Sequence, residues 1–462
     1  MINHDFDNVE QWAERQWGSA KLGDQRRTRR AVRVGAALAA QPSASLPQQS
    51  SSWHELKAAY RLLNAPDATH QALSQPHWDA THRAARTSPG TLLFIQDTSE
   101  LDFTAHPHTK GLGLIGNTGG RGFLMHSCLA VRADGNQTEL VGLAAQEVWT
   151  RHEVKKGRET RHQRRQRRTE SDVWAEVIEK LGAAPDGESG TRWVSVGDRA
   201  SDVFSYLRRA RALGWHCLVR VCQERVIETP QGQRAHLLSW AREALVPRAQ
   251  QRIWLRARAG VPKRQLQLQI GWSEVRICAP QLGPERGQEP VRGWCIRCWE
   301  GCGQAEQIEW ILFSTVEVQE AAQAREQVQW YASRWVIEEY HKCLKTGCRM
   351  EARQLESAAG LKALLGFLSI VAFRLLKLRE YARTQAERPA EEVVAEELVE
   401  VVRARLEIVR GEPLTVRQFW HGVARLGGFI GRKSDGEPGW QTLWRGWLRL
   451  QDLCWGALHA QK

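Results

Sequence analysis

The chain has 462 residues, 42% hydrophobic and 25% charged, which is the composition of an ordinary globular protein with room for two or three domains. Its 65 lysines and arginines against 52 acids leave a net charge of +13, which favours a polyanionic partner, nucleic acid first. No membrane span is expected, because the longest uncharged apolar run, residues 363–373, falls well short of the ~20 a bilayer needs. Acids at Asp5, Asp7, Glu10 and Glu14 argue against a secretory leader, so a cytoplasmic setting is expected. The ten cysteines are then expected as thiols.

Residues 1–70 read as helical and basic. Asp24 is a candidate N-cap for LGDQRRTRRAVRVGAALAA, which sets Arg26, Arg27, Arg29 and Arg30 beside an apolar face. A second helix is expected from Trp53, carrying Leu56, Ala59, Tyr60 and Leu63. This arginine stripe suits a DNA-binding domain, and equally a solvated helix face. TLLFI (91–95) reads as a buried strand. After the Gly-rich residues 111–122, LMHSCLAVR and ELVGLAAQEVW flank Asp134-Gly135 as a hairpin. The arginine-dense residues 151–168 read as a loop. A helix (SDVWAEVIEKLG), a strand (RWVSV, 192–196) and a helix at SDVFSYLRRA follow. Residues 215–316 read as an all-β insertion, and helical periodicity returns from 318 to 382. Within the insertion, Cys295, Cys298 and Cys302 raise zinc as a question. No fourth ligand stands at finger spacing, and VRGWCIRCW reads as a strand.

Three acids stand out. Asp97 follows TLLFI and Asp198 follows RWVSV, each just past an apolar run. An Asp at a strand end is commonly a turn residue. If the two strands are neighbours, however, the carboxylates sit side by side and repel unless a cation lies between them. The third acid lies in WYASRWVIEEYHKCLK. At about 100° per residue, Tyr331, Arg334, Glu338, Lys342 and Lys345 share one narrow stripe. Ile337, Tyr340 and Leu344 cover the other side. A carboxylate among cations suits metal and phosphate contact, or a salt-bridged surface.

Y-x2-R-x3-E-x6-K, read as Tyr331, Arg334, Glu338 and Lys345, resembles the signature of the IS-four group of bacterial insertion-sequence transposases. LGDQRRTRR, AAYRLLNAP (58–66), QDTSELDF (96–103), GDRASDVFSYL (197–207), FLSIVAFRLLKLRE (367–380) and ARLGGFIGRKSDGEPGWQTLWRGW (424–447) are similar to that family, in order along the chain. The resemblance implies an α/β protein with an RNase H-like catalytic core (71–382) interrupted by the β insertion. A helical DNA-binding domain (1–70) and a helical dimerisation domain (383–462) would flank it. It also implies a DDE transposase in which Asp97, Asp198 and Glu338 are catalytic and hold two Mg²⁺ ions, with Mn²⁺ able to substitute. Trp310 would stack a flipped base, and Arg220 would help handle a DNA hairpin. Tyr331, Arg334, Lys342, Lys345 and Arg353 would contact DNA. Expected partners are transposon-end DNA with terminal inverted repeats, target DNA, and a second copy in a synaptic homodimer, at the bacterial nucleoid. Two other readings stay open: a metal-dependent DNA nuclease or resolvase, and an inactive DNA-binding descendant.

Overall fold

A computed structural model describes residues 9–116, 119–135, 137–151, 169–186, 190–255, 264–301, 308–384, 386–392, 394–406, 413–432 and 437–460. The chain opens on helices α1 (Val9–Trp17), α2 (Gln25–Ala40), α3 (Leu46–Gln49), α4 (Trp53–Leu63) and α5 (His70–Thr87). Asp24 caps α2 as expected, its carboxylate accepting from Arg26 N at 2.7 Å. Ser52 and Thr69 cap α4 and α5 in the same way.

Next come β1 (Gly90–Asp102), β2 (Gly113–Ile115), β3 (Gly120–Asp134) and β4 (Gln137–Trp149). The hairpin turns at Gly135, whose φ of +55° suits glycine. α6 (Val173–Leu181), β5 (Thr191–Gly197), α7 (Phe204–Ala212) and β6 (His216–Arg220) complete the core sheet. Its order is β4-β3-β1-β5-β6; β3 runs antiparallel to both of its neighbours, β4 and β1, while β1, β5 and β6 are parallel. This mixed, open sheet flanked by helical regions is the RNase H-like arrangement. TLLFI is apolar on both faces because β1 is central: Leu93 and Ile95 enter one core, Leu92 and Phe94 the other.

The insertion continues the same sheet. It comprises β7 (Val226–Glu228), β8 (Arg234–His236), α8 (Leu237–Ala244), β9 (Ala249–Leu255), β10 (Arg264–Ile277), β11 (Val291–Glu300) and β12 (Glu309–Ser314). β12 pairs back onto β6, so the insertion is an extension of the sheet edge. It is strand-rich but includes α8, whose eight residues the alternation of neighbouring strands obscured. Cys295 and Cys298 lie in β11 on opposite faces, one in each core, so no single ion can reach both sulfurs. Burial pushes the Cys295 thiol up to about 12, which disfavours the thiolate a zinc site needs. Cys302 and residues 152–168 lie outside the described residues.

α9 (Ala321–Ser333), α10 (Trp335–Lys342) and α11 (Ala358–Thr384) close the core, followed by α12 (Glu396–Arg405), α13 (Val416–Leu426) and α14 (Trp440–Ala460). α11 is long and apolar enough to cross a bilayer, yet 83% of its apolar window is buried inside the protein. It is the central core helix; Trp17 of α1 packs on its Phe367 with ring centroids 5.2 Å apart. Trp420 and Trp447 stack at 5.6 Å and are buried, so these two tryptophans build the C-terminal core.

Arg353, expected as a DNA contact, is tied into the fold. Arg353 is only 6% exposed and donates to Cys348 O at 2.9 Å and to the carbonyls of Pro42 and Ala44. Its guanidinium pins the N-terminal helices to the segment after α10. Arg353→Ala leaves three carbonyls without their donor. The expected cost is roughly 2–4 kcal/mol, read as a lower denaturant midpoint with earlier proteolysis between residues 40 and 50. An unchanged midpoint would rule out this pinning role.

Candidate active site

Asp97 was expected at the end of β1 but lies in its interior. β1 continues to Asp102, and Asp97 pairs in register with Ser127 on β3. His126 braces the residues on either side: its Nδ1 lies 2.7 Å from Thr98 Oγ1 and its Nε2 2.9 Å from Gln96 Oε1. Asp198 stands just past the end of the parallel strand β5, capping a short turn by accepting from Ala200 N at 2.8 Å. Glycine is required before it. A Cβ on Gly197 would meet Ser201 Oγ at 2.4 Å and the Trp174 ring at 2.7 Å.

Glu338 comes from α10. The continuous helix expected around it is interrupted at Arg334, which nevertheless keeps helical angles, so the stripe survives. Ile337 and Tyr340 are buried, and the neighbouring Glu339 is held in an ion pair with Arg379 of α11 at 2.9 Å. Glu338 is thereby left facing the carboxylates of the sheet. Arg334 stands among them, 2.6 Å from Glu338 Oε1 and 3.9 Å from Asp97 Oδ2. A π-helical turn over Cys343–Gly347 follows α10 and carries Lys345, 3.4 Å from Glu351. Lys342 is exposed.

The electrostatics tie the three acids together. Burial, with Asp198 and Glu338 as like-charged neighbours, pushes the Asp97 carboxyl up to about 7 against the pull of Arg334. Beside this centre, Trp310 of β12 packs edge-to-face on Tyr331 at 5.1 Å. Arg220 of β6 lies by the Tyr331 hydroxyl and donates to Glu309 O at 3.1 Å. The core end of the insertion and α9 thus place Arg220, Trp310 and Tyr331 together. On α2, Arg26 and Arg29 are exposed and Arg30 is half-buried, whereas Arg27 is committed to Asp67 at 2.6 Å.

Sequence reasoning passed over His341. It is buried, with Nδ1 3.9 Å from Asp97 Oδ2 and Nε2 3.1 Å from Ser127 Oγ. Burial, Lys345 and Arg334 hold its pKa down at about 3, so the ring is neutral. The signal was its place three residues after Glu338, about 60° around the helix and just outside the stripe as drawn.

Three family matches cover most of the chain. Residues 9–68 match the family described as Transposase DNA-binding, residues 164–374 the Transposase DDE domain, and residues 370–462 the Transposase Tn5 dimerisation domain. The chain belongs to the DDE transposases. The transposase is therefore a DNA phosphoryl-transfer enzyme that binds DNA and self-associates, and its chemistry is metal-dependent in general. The DDE match spans Asp198 and Glu338; Asp97 lies before it. Among the described residues, no three His, Cys, Asp or Glu side chains form a ready-made ligand cluster.

Proposed function

We propose that Asp97, Asp198 and Glu338 are the catalytic carboxylates of a cut-and-paste transposase and together hold two Mg²⁺ ions, with Mn²⁺ able to replace them. The observation that supports this is the buried Asp97 carboxyl, pushed up by its burial and by the like charges of Asp198 and Glu338, with Arg334 between Asp97 and Glu338. Hard oxygen donors gathered from a central strand, a strand end and a helix fit a divalent cation better than they fit one another. Bound there, the ions would supply Lewis-acid activation of the attacking and leaving oxygens.

The protein's own groups do the positioning. Asp97 lies inside strand β1, Asp198 on the short turn after β5 and Glu338 on α10. Tyr331, Arg334, Lys342 and Lys345 would steady phosphates along the strand being cut. Arg26, Arg29 and Arg30 of α2 would contact the terminal inverted repeats, with Arg27 contributing once released from Asp67. The reaction order follows the family: a nick at the transposon end, a hairpin formed by the freed 3′-OH, opening of that hairpin, and joining to target DNA within a homodimeric synaptic complex at the nucleoid. The working division is an end-binding domain at 1–70, a catalytic domain at 71–382 and a dimerisation domain at 383–462.

Trp310 would receive an unpaired base next to the cut. Trp310→Ala is expected to slow hairpin formation roughly 10–100-fold, the equivalent of ~1–3 kcal/mol of stacking, while the first nick is retained. A gel time course separating nicked from hairpin DNA reads this directly. Equal slowing of both steps would remove the base-capture role.

The test of the whole reading is incubation of the purified protein with Mg²⁺ and labelled DNA carrying the element's ends. Hairpin ends and joined products are expected. Metal-dependent cutting without either product would replace the proposal with a nuclease or resolvase. End binding without any cutting would make the chain an inactive descendant.

A further inference from the structure

Six polar side chains, His70, Ser127, Gln146, Tyr340, His341 and Ser369, are buried between β3, β4, α5, α10 and α11. Buried polar groups destabilise a core unless every donor and acceptor is matched. Matching them fixes a direction. Tyr340 donates its hydroxyl hydrogen to Ser369 O at 3.3 Å, so it accepts from Gln146 Nε2 at 3.1 Å. Gln146 Nε2 gives its second hydrogen to Ser127 Oγ at 3.0 Å. Gln146 Oε1 accepts from Ser369 Oγ at 2.6 Å and from His70 Nε2 at 2.9 Å. Ser127 Oγ accepts from Gln146 and, among the described residues, has no other acceptor for its own hydrogen than His341 Nε2 at 3.1 Å, to which it therefore donates. A neutral imidazole that accepts at Nε2 carries its proton on Nδ1. That nitrogen faces Asp97 Oδ2 at 3.9 Å.

We propose that His341 is a positioning residue: the chain His70–Gln146–Ser127 fixes it as the Nδ1–H tautomer, and this N–H orients the Asp97 carboxylate for the divalent cation. The proposal rests on the reading of Asp97 as a metal ligand. It gives the buried chain a purpose beyond filling the core, because the chain ends at a reacting group. It begins at the first residue of α5, just after the DNA-binding match at residues 9–68. At 3.9 Å the Nδ1–Asp97 contact is electrostatic and longer than a hydrogen bond; outer-shell partners of a ligating side chain set its orientation, and their loss commonly weakens metal binding by about 10–100-fold.

The first test needs no metal. In the full-length protein labelled with ¹⁵N-histidine, the His341 ring is identified by its disappearance in His341→Gln. The Nδ1–H pattern is expected, turning to Nε2–H in Ser127→Ala; an Nε2–H pattern in the parent overturns the proposal. The second test is Mn²⁺ binding by calorimetry. Asparagine places a donor near Nδ1, whereas glutamine reaches toward Ser127 in place of Nε2. His341→Asn is expected to bind Mn²⁺ near the parent level and His341→Gln about tenfold more weakly, with affinity for end DNA equal in both. The reverse ranking would mean that His341 serves the core and not the carboxylate. A parent that takes up no Mn²⁺ overturns the metal-ligand reading of Asp97, and this role for His341 with it. The wrong tautomer or ranking in a parent that does bind Mn²⁺ overturns the His341 proposal alone.

Discussion

Glu338→Ala is expected to bind transposon-end DNA with parental affinity and to lose nicking, hairpin formation and joining together. The rates fall by roughly 10³-fold or more, about 4 kcal/mol of transition-state stabilisation. On the proposed mechanism one site performs all three steps, so all three are expected to fail alike. The adjacent acid is the internal control. Glu339 is buried against Arg379, so Glu339→Gln breaks a buried ion pair, which costs roughly 3 kcal/mol of stability. It leaves the chemistry of the folded fraction in place. Parallel gel assays and denaturation curves separate the two outcomes. If Glu339→Gln removed chemistry while Glu338→Ala kept it, the assignment of the third carboxylate would be wrong.

Asp97→Asn is expected to abolish activity and, in metal-free buffer, to stabilise the protein. The folded Asp97 carboxyl titrates at about 7 against an ordinary value of 3.8. Between those pH values the native state holds a proton that the unfolded chain has released. Stability therefore falls as pH rises from about 4 to 7, and the full penalty is present above 7. Its size is on the order of 2–4 kcal/mol, and asparagine removes it. Melting at pH 8 without metal should favour Asp97→Asn, and the gap should close toward pH 4. Added Mg²⁺ should raise the melting temperature of the parent and leave the variant nearly unmoved. A variant less stable than the parent at pH 8 would show that the acid is not under strain.

Much of this was legible in the sequence because it rests on local patterns. TLLFI and RWVSV read as strands from their short apolar runs, and both lie inside the sheet, as β1 and β5. Asp24 announces its helix by capping chemistry, and Asp134-Gly135 announces its turn. Helical spacing put Arg334 and Glu338 together, and they do form an ion pair. What stayed hidden depends on distant partners. Asp97 looked terminal because polar residues follow the apolar run; pairing with β3 carries the strand on to Asp102. Arg353 looked like a DNA contact because nothing nearby in sequence reveals that its partners are Pro42 and Ala44. His341 went unnoticed because its importance comes from Ser127, on a strand 214 residues earlier.

The interior position of Asp97 divides the site mechanically. Its main chain is laced into β3 before, at and after the carboxylate, and such a segment loosens only when the sheet itself comes apart. Asp198 sits on a brief turn, and Glu338 on an eight-residue helix flanked by an irregular residue and a π-helical turn. The enzyme thus has one stationary reference point and two adjustable ones. On the proposed reaction course, in which the DNA substrate would change from duplex to hairpin to target, the turn and the helix would follow it while the strand keeps the frame.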